Sequence, residues 1–203
     1  MTSLWREHVV PRVVDVALRS PAATQARRRA CADLSGTVLE IGFGSGLNAL
    51  HYPDAVTRVL AVEPSDLAWR MAQTRLGRVP VERVGLDGQR LPLPDASADC
   101  ALSTWTLCTI PDPVAALREV ARVLRPGGRL HFVEHGLSPD AGVARWQARL
   151  EPVQRRVAGG CHLQRPVDRL LAAAGFAVER LDTGYERGAP KPLGYLYEGV
   201  AAP

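Results

Sequence analysis

Three glycines on alternate positions follow directly on an apolar stretch, in Glu40-Ile41-Gly42-Phe43-Gly44-Ser45-Gly46. Glycine has no Cβ, so the backbone there can turn sharply and let a ligand approach closely. The spacing is GxGxG, not the GxGxxG of a dinucleotide site. Acidic residues end two later apolar stretches. One is Glu63-Pro64, 23 residues after Glu40, and the other is Asp87-Gly88. A carboxylate at the first position can accept two hydrogen bonds from a ribose diol. At the second it can accept one from an adenine amino group. Ser103-Thr104-Trp105 ends a further stretch and could form a pocket wall. No phosphate-binding lysine loop is present, so the set suits a nucleoside with a small charged arm rather than a polyphosphate. Each residue also has a plain structural reading: a tight turn at the glycines, a loop acid before Pro64, a turn at Asp87-Gly88, and core packing for Trp105.

Proton chemistry has few candidates. His135 follows an apolar run, and His162 follows Gly159-Gly160-Cys161. Either could serve as a base; otherwise they brace the chain or face solvent. Cys108 and Cys161 read as small buried apolar residues. No pair of cysteines forms CxxC and no Cys/His spacing resembles a zinc finger, so no metal is expected.

The elements that must hold these residues alternate between β and α patterns. Residues 37–41, 58–62, 81–84, 98–103 and 129–135 read as buried strands, and 176–181 and 195–201 as two closing strands. Ser65 caps one helix, and Asp112-Pro113 starts another with Val114, Leu117, Val120, Ala121 and Leu124 on one face. Residues 141–157 and 167–174 supply two more helices. Before them, Val9, Val13, Val16 and Ala17 form one apolar helix face, and Ser20-Pro21 restarts a second helix that runs to Ser35-Gly36. The alternation implies a parallel sheet with helices on both faces, with ligands at the carboxyl ends of the strands.

Val38-Leu-Glu-Ile-Gly-Phe-Gly-Ser-Gly46 resembles the cofactor loop of class I S-adenosylmethionine-dependent methyltransferases. Glu63 sits where that family places its ribose acid. Leu91-Pro-Leu-Pro-Asp-Ala-Ser-Ala-Asp99 and Leu117-Arg-Glu-Val-Ala-Arg-Val-Leu-Arg-Pro-Gly-Gly128 resemble the stretches before its fourth and fifth strands. The resemblance implies a Rossmann-like sheet in the order 3-2-1-4-5-7-6 with the last strand antiparallel, and S-adenosylmethionine as cofactor. It places Glu40, Gly42, Phe43, Gly44, Gly46, Glu63, Pro64, Asp87, Gly88, Ser103 and Trp105 at that cofactor. Thr106 to Ile110, Glu134-His135-Gly136, Trp146-Gln147, Leu150-Glu-Pro152 and Gly160-Cys-His-Leu163 resemble the methyltransferase-like seven group of thiol S-methyltransferases. This implies a thiol acceptor, with His135 and His162 as the catalytic candidates. Quinone, phospholipid and natural-product methyltransferases share several of these motifs, so O-, N- or C-methylation is an alternative. A non-catalytic cofactor-binding regulator is another, since the recognisable residues bind cofactor rather than perform chemistry.

Composition narrows the remaining classes. The chain has 203 residues, 46% hydrophobic and 23% charged, which suits one folded domain. Residues 1–35 form N-terminal helices, 36–203 the core, and 138–165 a second part of the substrate cover. The apolar residues there, Leu4, Trp5 and Trp146, favour a small, largely apolar acceptor. No run of about 18 apolar residues predicts a membrane span, and Met-Thr-Ser-Leu-Trp-Arg-Glu-His has neither the form of a secretory signal nor a hydrophobic anchor. Four unpaired cysteines without a signal point to a reducing cytoplasm. The net charge of +4 is mild, and Arg27-Arg28-Arg29 reads as a solvated helix face, so no nucleic-acid partner is expected.

Overall fold

Helix starts follow from side chains that supply an oxygen to an unpaired first-turn N–H. The computed structural model, which describes residues 4–203, shows this at four helices. Ser20 Oγ accepts from the Ala23 N–H at the head of α2 (Pro21–Cys31), and Ser65 Oγ from Ala68 at the head of α3 (Asp66–Ala72). Asp112 does the same for α4 (Pro113–Val123), and Asp140 for α5 (Ala141–Val157). Two more helices are α1 (Val10–Ala17), entered through a π-helical turn at Trp5–Val9, and α6 (Val167–Ala173).

Seven strands form one sheet: β1 (Gly36–Ile41), β2 (Val56–Val62), β3 (Val81–Gly85), β4 (Ala98–Thr104), β5 (Leu124–His135), β6 (Ala177–Tyr185) and β7 (Tyr195–Ala202). Their order is β3-β2-β1-β4-β5-β7-β6, as the methyltransferase resemblance implies. β1 to β5 pair in parallel, and β7 runs antiparallel to both β5 and β6. The order reverses between β1 and β4, which sit side by side. That is the switch point where such sheets open a crevice at their carboxyl ends.

Alternation along each strand divides the core into two layers. Leu39, Ile41, Leu60 and Val62 point into one, with Leu117, Val120 and Phe132. Val38, Val59 and Ala61 point into the other, with Ala26, Ala30 and Phe43.

Three local expectations change. α2 stops at Cys31, four residues before Ser35. β5 begins at Leu124 and runs through Gly127-Gly128, absorbing an irregular register against β4. The third concerns α1. Val13, Val16 and Ala17 face outward, with Val16 70% exposed, and Asp15 is its one buried residue. The expected apolar face is thus turned away, because the inward side is held by charge: Asp15 accepts from Ser45 Oγ and pairs with Arg75 at 2.8 Å.

Candidate active site

The glycine loop leaves β1 at Ile41 and is pinned to the neighbouring strand. The Gly42 and Phe43 N–H groups both donate to the Val62 carbonyl, at 2.9 and 3.1 Å. Gly42, Gly44 and Gly46 all have positive φ, a region costly to residues with a Cβ. Their surroundings differ. A Cβ on Gly42 would lie 2.0 Å from Thr106 Oγ1, and one on Gly46 would lie 3.0 Å from Ala72 Cβ. A Cβ on Gly44 would meet only the Gly42 carbonyl oxygen, at 3.8 Å. Gly42 and Gly46 are therefore packing glycines, and Gly44 borders open space where a ligand can reach the backbone.

Glu63 stands beside this space, one residue past β2. Its carboxylate accepts from the Gly44 N–H at 2.7 Å and from the Ser65 N–H at 2.6 Å. Burial pushes its carboxyl up from the ordinary range, and these two N–H groups pull it back. An ionised carboxylate has about four acceptor sites, so two remain for a diol. Asp87, two residues past β3, is exposed, and Gln89 holds it below the usual carboxylate range. Pro64 is exposed, and Gly88 lies under Ile110.

Other expected cofactor residues turn inward. Glu40 is fully buried; Oε1 accepts from Asn48 Nδ2 at 2.9 Å and Oε2 from the Tyr52 hydroxyl. Phe43 packs its ring 5.6 Å from that of Trp69, inside the core. Ser103 is buried and donates to Glu134 Oε1 at 2.7 Å. Ser103 lies within β4 and is committed to Glu134, whereas Trp105 lies one residue past the strand, where the backbone has left extended geometry. Trp105 has φ +48, a strained conformation for a non-glycine residue. Its N–H donates to the Val133 carbonyl, and its ring lies under the Arg27 guanidinium at 4.6 Å.

Several site-forming residues had no distinct signal in the sequence. Arg27 turns inward while Arg28 and Arg29 stay exposed, so the arginine run is not wholly a solvated face. Its Nη1 donates to Asn48 Oδ1 at 2.8 Å and Thr104 Oγ1 at 3.1 Å. Burial lowers its pKa to about 10, with Glu40 opposing. Arg27, Asn48, Glu40, Tyr52 and Thr104 make one buried network that fixes the loop, β1 and the end of β4 together. Glu134, also fully buried, accepts from the Thr106 and Leu107 N–H groups and holds the segment after β4.

The two histidines occupy different settings. His135 ends β5 with Nε2 at 2.9 Å from Cys161 Sγ. Burial alone would depress this imidazole, but its hydrogen bond to Cys161 raises it. Cys161 is held below the ordinary thiol range by Cys108 first and His135 second, and Cys108 well above it by Cys161 and by burial. His162 has Nδ1 at 3.0 Å from Glu151 Oε1. The sequence offers no CxxC or zinc-finger spacing, yet the fold brings three of these side chains together. Cys108, His135 and Cys161 converge, with one donor atom of each within 4.8 Å of the others. They are far apart in sequence, so only the topology unites them.

Comparisons with known proteins agree with this fold. The family described as Methyltransferase domain matches residues 39–132. Thiol S-methyltransferase TMT1B of Rattus norvegicus is 36% identical over 74% of this chain, which spans 66% of that protein. Phosphatidylethanolamine N-methyltransferase of Cereibacter sphaeroides is 33% identical, covering 72% of this chain and 74% of that protein. A solved S-adenosylmethionine-dependent methyltransferase from Thermotoga maritima superposes with a TM-score of 0.66 at 24% identity, over 96% of this chain and 98% of that one. Sheet order, glycine loop and these relatives coincide: the chain belongs to the class I S-adenosylmethionine-dependent methyltransferases.

Proposed function

We propose that this chain transfers the methyl group of S-adenosylmethionine to a small, largely apolar thiol. The observation that carries the acceptor is the 36% identity to a protein named Thiol S-methyltransferase. The cofactor reading is supported by the open backbone at Gly44 beside the Glu63 carboxylate. Glu63 holds the ribose hydroxyls, Gly44 admits the ligand against the loop, and Trp105 bounds the crevice. Asp87 and Gly88, with Pro64 beside Glu63, lie at the rim toward the base. Glu40, Phe43, Gly42, Gly46 and Ser103 act indirectly, by fixing the loop and β4.

The cofactor supplies an electrophilic methyl carbon on a sulfonium. With the cofactor bound, an acceptor thiolate would take that methyl group, and the electron pair of the broken bond would return to the cofactor sulfur. A free thiol with pKa about 8.5 is already a few per cent thiolate at neutral pH. The chain's principal task is therefore orientation, which can lower a barrier by roughly 7–11 kcal/mol. Of the two histidines, His162 has the freer geometry for a proton acceptor. Glu151 engages its Nδ1, which leaves Nε2 available, whereas His135 Nε2 faces Cys161.

An amine acceptor is the second reading, favoured by the similarity to a phosphatidylethanolamine N-methyltransferase over 74% of that protein's length. Production of S-adenosylhomocysteine across matched thiols, phenols and amines separates the two. Turnover with thiols alone is expected; methylation of an amine or phenol with no thiol turned over would overturn the sulfur reading. No product with any acceptor, despite cofactor binding, would favour a regulatory role.

A further inference from the structure

We propose that Cys108, His135 and Cys161 form a binding site for a soft divalent metal ion, zinc by its donor set, with one coordination position left for an exogenous thiol. The metal site stands on geometry alone; the thiol position rests on the acceptor reading above.

The three donors arrive from separate parts of the fold. Cys108 lies four residues past β4, His135 is the last residue of β5, and Cys161 lies four residues past α5. One donor atom from each falls within 4.8 Å of the other two. Tetrahedral zinc, with bonds of about 2.3 Å to sulfur and about 2.0 Å to nitrogen, places its ligand atoms roughly 3.5–3.8 Å apart. The His135 Nε2 to Cys161 Sγ distance of 2.9 Å would have to open by about 0.6 Å on this geometry. Side-chain rotation in a loop residue such as Cys161 accommodates that without moving β5.

Donor chemistry selects the ion class. Two sulfurs and one imidazole, with no carboxylate among them, suit zinc rather than magnesium or calcium. The surroundings are mixed: Leu163, Leu150 and Ala158 pack on the cysteines, the Gln154 side chain hydrogen-bonds Cys161, and the Arg165 guanidinium near both sulfurs favours their thiolate forms. The approach of Cys161 is also built. Gly159 and Gly160 both take positive φ and turn the chain back after α5. The His162 N–H then donates to the Cys108 carbonyl at 2.9 Å, fixing the returning segment to the loop that carries the partner sulfur.

Three protein ligands leave a tetrahedral ion one open position, the arrangement of sites that take water or substrate. A thiol entering there forms a sulfur–metal bond as the metal–water bond breaks, and its proton passes to solvent. The cluster lies at the carboxyl end of β4 and β5, and Thr106, two residues before Cys108, abuts Gly42 of the cofactor loop. The open position is thus on the same end of the sheet as the proposed cofactor crevice.

Cobalt(II) reports the site without any activity measurement. The full-length, reduced, metal-free protein is titrated with cobalt(II) and its absorption recorded. One equivalent is expected to give thiolate-to-cobalt charge transfer in the near ultraviolet and intense visible bands of a tetrahedral ion. Cys108→Ala and Cys161→Ala remove a sulfur without adding a polar group. Each is expected to weaken the binding by roughly 100-fold or more, since even supporting groups around a metal contribute 10- to 100-fold. His135→Gln should weaken it while preserving the charge transfer. Near-ultraviolet circular dichroism checks that each variant keeps its packing, and the titration of the unaltered protein decides the question even if a variant unfolds. No charge transfer at one equivalent, or bands unchanged in both cysteine variants, would overturn the site. Formation of a Cys108–Cys161 disulfide that survives in the metal-loaded protein would overturn it too. Adding benzyl thiol should shift the visible bands and adding phenol should not; no shift with the thiol overturns the open position. Cobalt bands in a protein that methylates no thiol would remove the acceptor reading and keep the metal site. Thiol methylation by a protein without such bands would do the reverse.

Discussion

The Glu63 carboxylate accepts a 2.7 Å hydrogen bond from the Gly44 N–H, so the acid that follows β2 and the glycine that borders open space are directly joined. The bond shapes the loop, and on the proposed cofactor reading the remaining lone pairs of Glu63 take the ribose hydroxyls. Glu63→Ala removes both. Charge-assisted hydrogen bonds contribute roughly 1.5–3 kcal/mol, so S-adenosylmethionine affinity should fall at least tenfold while the fold persists. Calorimetric titration tests this, and an unchanged affinity would remove Glu63 from the ligand site.

Two neighbouring glycines should fail for different reasons. Gly42→Ala drives a Cβ to 2.0 Å from Thr106 Oγ1, so it should destabilise the fold by roughly 1–3 kcal/mol. At Gly44→Val the added Cβ meets only the Gly42 carbonyl oxygen, at 3.8 Å, and the strained backbone costs roughly 1–2 kcal/mol. That variant should remain folded and lose cofactor binding. Denaturant unfolding beside a binding titration distinguishes the two outcomes; a Gly44→Val protein with normal affinity would move the cofactor elsewhere.

Glu40 makes stability depend on pH. Burial raises its carboxyl from 4.5 to about 7, against hydrogen bonds from Tyr52 and Asn48 and the Arg27 charge. A folded-state pKa above the unfolded one means that the proton is held more tightly in the folded chain. The corresponding stability is fully present below about 4.5 and is lost as pH rises through about 7. Glu40→Gln mimics the protonated form and cannot lose it. Relative to this variant, the unaltered protein should lose roughly 1–3 kcal/mol between pH 5 and pH 8. Parallel stability curves would show that Glu40 is ionised throughout.

The docking of α1 should be sensitive to salt. Asp15 is its one buried residue and is paired with Arg75 and Arg19. Asp15→Ala leaves Arg75 without this partner and removes the acceptor of Ser45 Oγ. Protease cleavage before Ser20 should become faster in the variant at low salt, with the difference narrowing as salt is raised. Equal cleavage rates would mean that other contacts hold the helix.

The sheet was legible because its signals are local. Ser65, Asp112 and Pro113 announce helix starts within a few residues, and β-branched runs such as Val38 to Ile41 announce strands. The glycine loop and Glu63 were equally readable, since a strand end fixes where they must lie. Side-chain direction was less so. Arg27 and Arg28 are adjacent and chemically alike, yet only the first meets Asn48 and Thr104, because helix phase against the sheet decides which is buried. The outward turn of Val13 and Val16 has the same origin: the Asp15 ion pairs outweigh the apolar periodicity. The Cys108, His135 and Cys161 cluster could not be read from spacing at all. It depends on the crossover between β4 and β5 and on the backward turn at Gly159-Gly160.

The reversed direction of β7 has a practical consequence. Leu196 pairs with His135 at the end of β5, and Ala201 with Leu130 nearer its start. The polypeptide therefore exits the sheet on the side away from the glycine loop, displaced by roughly 17 Å along five strand residues. A fluorophore, bead or affinity handle joined after Pro203 would stand clear of the crevice. An acceptor too bulky to enter a surface-immobilised protein by this tether is thus excluded by the crevice itself and not by the support.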